Sequence, residues 1–202
     1  MSLVMVVGYC AIGQTAAGVA NSTPASGIRI MIEPSRAPET TTPSLAIRVT
    51  VSNSTNQFLV RNYAAENGSI GIDIHKQDGS VPDETELGCR RHKSTRCGPN
   101  VRVFGRIRGA AMIVDPGQSI TFDYNIGSEY KITGEDTYRI NAIVKDFVLV
   151  NAPKTLTSSP QSMQFLALSN YQTNYKYKKI GILRSNVITI RMLEQNLLTS
   201  RP

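Results

Sequence analysis

Tryptophan is absent from the 202 residues, which excludes the buried indole that packs on the inter-sheet disulfide of antibody-type domains. Histidine is scarce as well: His75 and His92 are the only two, so general-base or metal chemistry built on imidazole has little to draw on. No GxSxG, HExxH or P-loop sequence occurs, and with them go the motifs that present an activated serine, a zinc pair or a phosphate cradle. Charged residues make up 18% of the chain and hydrophobic ones 41%. That is too little charge for a disordered polymer and enough apolar material for a core. The length suits one all-β domain or two small domains, and a single domain is the default. The formal charge of +7 admits polyanions as partners.

The longest apolar run near the start, LVMVVGYCAI from Leu3 to Ile12, is far short of the roughly 20 residues that cross a bilayer as a helix. A small-residue stretch from Gln14 to Ala20 and a polar segment follow it. This order predicts a signal peptide over residues 1–20 and a mature domain over 21–202, secreted or periplasmic. Cleavage after Ala17 is a close alternative, and a buried N-terminal strand is the rival reading of the same run. Cys10 lies inside the run, and Tyr9 before it spoils a lipobox. Cys89 and Cys97 bracket the basic loop GCRRHKSTRCG, and in an oxidising compartment a disulfide closing that loop is the plain expectation. Zinc held by these cysteines and His92 would lack a fourth ligand. No cofactor or metal is expected.

Apolar residues alternate with polar ones at Ile28, Ile30 and Ile32, and at Leu45, Ile47, Val49 and Val51. The alternation returns at Ile70, Ile72 and Ile74, then at Ile120, Phe122 and Tyr124. It continues at Tyr138, Ile140, Ala142 and Val144, and ends at Ile188, Ile190 and Met192. Period two is the mark of a strand with one buried face. Turn formers separate the runs at Asn53–Asn56, Asn67–Gly68, Asp78–Gly79, Pro116–Gly117 and Gly134. About seven short strands without sustained helical periodicity predict an antiparallel, immunoglobulin-like β-sandwich. Three stretches read as connections: the proline-rich Pro34–Pro43, the basic loop Val81–Asn100 and Asn151–Gln161.

The segment DPGQSITFDYNIGSEYKITGEDTYRINAIV, from Asp115 to Val144, resembles bacterial exported immunoglobulin-like domains, in which a Pro-Gly turn opens a strand and a Gly-containing turn precedes a Tyr-x-Ile strand. SNVITIRM, from Ser185 to Met192, is similar to their terminal strand, and RVTVSNSTNQFLV to a strand-turn-strand segment upstream. The resemblance implies a sandwich with Tyr138 as a corner tyrosine, its ring inward and its hydroxyl on backbone. Such domains serve as accessory modules of secreted proteins, in adhesion-like contexts and in proteinase-inhibitor-like proteins. Fold alone does not fix which.

The residues themselves offer few reactive constellations. Asp73 and His75 share the outer face of one strand, but a triad needs a nucleophile that no motif supplies. Asp83, Glu84 and Glu86 lack the spacing and turn glycine of a calcium loop. Arg102, Arg106 and Arg108 share a parity opposite Val103 and Ile107. With Arg90, Arg91, Lys93 and Arg96 they would make a positive patch for phosphate or sulfate groups. YKYKK, from Tyr175 to Lys179, interleaves rings with lysines; both clusters also suit an edge strand kept soluble. Asn21, Asn53 and Asn67 open Asn-x-Ser/Thr triplets, and Asn53 and Asn67 read as turn residues. The reading that follows is a non-enzymatic extracytoplasmic binding or structural module. A secreted protease inhibitor presenting the Cys89–Cys97 loop and a cell-surface polyanion binder are the alternatives. Nucleic acid is not expected as the physiological partner.

Overall fold

Period-two alternation places Ile28, Ile30 and Ile32 on one face of strand β1 (Ile28–Pro34), and Ile47, Val49 and Val51 on the same face of β2 (Ala46–Asn53). The computed structural model of the protein describes residues 27–35, 45–62, 70–92, 111–133, 136–158, 168 and 171–192. Within them the chain is all-β and sandwich-like. β1, β2 and β6 (Ser119–Asn125) form one antiparallel sheet in that order. β7 (Thr137–Val144) is the centre of a second, with β4 (Gly71–Lys76) along one edge and β10 (Leu183–Arg184) and β11 (Ile188–Arg191) in tandem along the other. The apolar faces of the two sheets meet in a single core that includes Ile47, Val49, Ile74, Tyr138 and Ile140. Each such side chain contributes about 1.5–3 kcal/mol by leaving water.

A third sheet, β5 (Ala111–Val114), β3 (Phe58–Asn62), β8 (Phe147–Asn151) and β9 (Lys176–Lys179), continues the same ribbons past a kink. β2 and β6 pair as far as Ser52 and Ser119, and the pairing resumes in β3 and β5 at Leu59 and Val114. Asn53 fills the kink. Its buried amide donates to the carbonyls of Gln57, Val114 and Asp115, at 2.7, 3.0 and 3.2 Å, and its Oδ1 accepts from the backbone and hydroxyl of Thr55. The triplet at Asn53 is thus a turn device, and its buried amide is no acceptor for a glycan. Asn21 and Asn67 lie outside the described residues.

About seven strands are expected and eleven are found among the described residues, in part because kinks divide several ribbons. β10 and β11 are one strand broken at Ser185–Val187, where the register slips by one residue. Ser185 and Asn186 repair the break. The Ser185 hydroxyl accepts from the Ala142 backbone at 2.8 Å, while Asn186 Oδ1 accepts from Ile32 N and its Nδ2 donates to Ile32 O. Tyr138 is fully buried, and its hydroxyl accepts from Thr133 N at 3.0 Å and donates to Thr133 O at 3.3 Å. That is the corner tyrosine the sequence suggested.

Two connections read as loops carry structure. Residues 154–158 form a short 3₁₀ turn, and Leu156 packs with Ala152, Tyr175 and Leu168 over the second face of the third sheet. β8 is therefore buried on both faces, with Phe147 and Leu149 in the main core and Val148 and Val150 in the smaller one. The basic connection Val81–Asn100 contains a helix, α1 (Glu86–His92), and a second short helix, α2 (Tyr171–Asn174), precedes β9. The expected signal segment, Pro43 and most of the proline-rich connection lie outside the described residues.

Candidate functional site

Seven residues are too few for a helix to persist without help, so the sequence around α1 has to hold it by other means. Thr85 is the cap: its hydroxyl accepts from Gly88 N at 3.1 Å and donates to Ser128 O at 2.6 Å, while its own amide donates to Glu129 O at 2.8 Å. Glu86 sits in the first turn and Arg90, Arg91 and His92 in the last, each sign at the end of the helix dipole that favours it. Gly88 lets the helix approach the backbone of Glu129, where any Cβ would collide.

The helix thereby delivers two cations to a buried carboxylate. Glu129, with no exposed surface, follows the 3₁₀ turn Ile126–Ser128. Its Oε1 accepts from the Arg91 guanidinium, and its Oε2 accepts from Tyr124 Oη at 2.5 Å and from His92 Nε2 at 2.9 Å. The other nitrogen of His92, Nδ1, meets Glu84 Oε1 at 2.6 Å, and the ring lies tilted against Tyr130 with centroids 5.4 Å apart. A backbone bridge between Glu84 and Tyr130 closes the cluster.

These contacts set the protonation states. Burial pushes the Glu129 carboxyl up, but the bonds from His92, Tyr124 and Arg91 together outweigh it and hold the group below its ordinary value. His92 is raised, chiefly by its bond to Glu129 and against its own desolvation, with Glu84 adding to the effect. Burial, followed by the adjacent Glu129, raises Tyr124 and keeps its hydroxyl a donor. Glu129 in turn raises Arg91. The arrangement is a charge-balanced latch of two carboxylates, a guanidinium and an imidazolium.

Linkage gives the latch a pH window. The raised His92 contributes fully below the ordinary imidazole value of about 6.5, and that contribution is lost as pH rises through its higher folded value. The lowered Glu129 contributes above the ordinary glutamate value of about 4.3 and is lost as pH falls through its lower folded value. Urea midpoints are expected to be highest between about pH 4.5 and 6.5, with an alkaline decline that His92→Gln flattens. A midpoint that climbs steadily from pH 6 to 9 would contradict this assignment.

The remaining sequence candidates fall as follows. Asp73 and His75 do share the outer face of β4, with His75 Nε2 at 2.9 Å from Asp73 Oδ1 and Nδ1 at 3.1 Å from Gly79 O. Arg90 and Arg91, expected in an open positive patch, turn instead to Glu86 and Glu129. The physical reason is that α1 sets Arg90 one turn from Glu86 and Arg91 over a buried carboxylate. Cys89 is buried on α1. Cys97, Lys93, Arg96, Arg102, Arg106 and Arg108 lie outside the described residues. In YKYKK, Tyr175 packs on the smaller core, while β9 is exposed throughout.

Glu129, Tyr124 and Tyr130 were not singled out from sequence, and nothing local marks them, since Glu129 meets α1 across 37 and 38 residues. Among the described residues no group of three His, Cys, Asp or Glu side chains is placed to hold a metal, and no helix is long and apolar enough to cross a membrane. No protein-family model matches the chain, and no curated protein is significantly similar to it.

Proposed function

We propose that the protein is a non-enzymatic binding module of the extracytoplasmic space, related to bacterial exported immunoglobulin-like domains, with Cys89 and Cys97 joined in a disulfide. The observation that carries the reading is the state of the two histidines: each has both ring nitrogens against acceptors, Asp73 and Gly79 O for His75, Glu84 and Glu129 for His92. A general base needs a nitrogen lone pair directed at substrate, and these are committed within the fold. The buried carboxylate Glu129 likewise has its oxygens occupied by three donors, which suits a structural role better than acid-base turnover. The corner tyrosine and the sandwich agree with the family resemblance.

The test is a broad screen of hydrolase substrates with the exported protein, together with alkylation before reduction. The expected result is no turnover and no labelling at Cys89 or Cys97. Turnover that disappears in His75→Ala or His92→Ala would overturn the non-enzymatic reading, and labelling of both thiols in protein taken from the native envelope would overturn the disulfide.

A further inference from the structure

The two outer faces of the sandwich differ in how their charges are arranged. On the first sheet Arg48 lies between Asp123 at 3.2 Å and Glu33 at 3.8 Å, so its positive charge is answered in place. On the second sheet, the alternation that buries Tyr138, Ile140 and Ala142 turns Arg139 outward. The register puts Arg191 of β11 opposite Thr137, and Arg184 of β10 opposite Ile143, on that same outer side. All three arginines are exposed, and none makes an ion pair among the described residues. Among the described residues the one carboxylate on this face is Asp73, which His75 already holds.

We propose that the outer face of β4, β7, β10 and β11 binds a linear sulfated polysaccharide through Arg139, Arg184 and Arg191. Along the direction of β7, Arg191 stands about 7 Å from Arg139, and Arg184 about 13 Å from it on the other side. An extended anionic chain lying along β7 meets all three. Each guanidinium offers a planar fork of donors that fits a sulfate oxygen pair. Thr137 and Thr189 between the arginines add hydroxyls suited to sugar hydroxyl groups. Single-stranded nucleic acid fits less well, because the one aromatic ring on this face among the described residues is the His75 imidazole, which Asp73 and Gly79 O already hold. The proposal deepens the binding-module reading, which supplies the cell-surface setting.

The experiment is heparin-column chromatography of the whole chain, comparing wild type with Arg139→Ser/Arg184→Ser/Arg191→Ser and with Lys176→Ser/Lys178→Ser on β9. The triple variant is expected to elute at clearly lower salt, and its binding to depend less steeply on salt, by a log-log slope of about 3. The β9 variant is expected to elute close to wild type. Single Arg139→Ser and Arg191→Ser variants, each giving a part of the shift, serve if the triple variant does not fold. Equal elution of wild type and arginine variants overturns the proposal. So does displacement from heparin by a single-stranded oligonucleotide as readily as by soluble heparin. New reducing ends appearing in the heparin would overturn the non-enzymatic reading and leave the binding face standing.

Discussion

Glu129→Ala is expected to destabilise the protein by about 3 kcal/mol, read as a fall in the urea midpoint at pH 6. Removing one partner of a buried ion pair costs about 3–5 kcal/mol because the charge left behind has neither its partner nor water. Here the substitution strands three donors at once, Arg91, His92 and Tyr124. Arg91 is 45% exposed in its side chain and can turn to solvent, which places the cost near the lower limit. His92 keeps Glu84, so its loss is partial. Glu129→Gln, which preserves shape and one acceptor oxygen, should cost less than Glu129→Ala. A change below about 1 kcal/mol for the alanine variant would mean that the latch contributes no more than a surface pair.

Gly88→Ala should be nearly as damaging, although alanine favours helix over glycine by about 1 kcal/mol. A Cβ at position 88 would stand 2.0 Å from the carbonyl oxygen of Glu129 and 2.9 Å from its carbon. The obstacle is backbone, so α1 has to move away as a unit. Movement would break the Thr85 N to Glu129 O bond and separate Arg91 and His92 from the carboxylate. Overpacking ordinarily costs about 1–3 kcal/mol, and losing the latch adds to it, so a net loss of about 3 kcal/mol is expected. Gly181→Ala, at a site with open space around it, is the control and should be nearly neutral. The double variant with Glu129→Ala should lose less than the sum of the two single losses, because each breaks the same contact. A Gly88→Ala protein as stable as wild type would show that the close approach is not required.

What could be read from the sequence was what depends on near neighbours. The strands were legible because inward and outward residues alternate at every step, as in Ile28 to Ile32 and Leu45 to Val51. Tyr138 is placed as a corner tyrosine by the family resemblance, and its backbone partner Thr133 is five residues away. β8 was not legible, since both its faces are buried and FVLV shows no alternation. The second face is covered by Leu156 and Leu168, which no local pattern assigns to that place. α1 leaves no mark in the sequence because a seven-residue helix has no room for periodicity, and its cap partners, Ser128 and Glu129, lie in another segment. The partner of Arg91 is hidden for the same reason: Arg91 looks available until Glu129 is brought beneath it.

Asn186 joins the backbone of Ile32 through both donor and acceptor, as a neighbouring strand would. At that rung the rim of the first sheet is occupied, and a foreign β-segment seeking to add there finds no vacant pair. The edge of the third sheet is defended differently. β9 carries Lys176, Lys178 and Lys179, whose mutual repulsion discourages stacking of one copy on another. A side chain that imitates a strand on one border and a row of like charges on another are two solutions to one problem, keeping an open strand from pairing with a second copy of the chain.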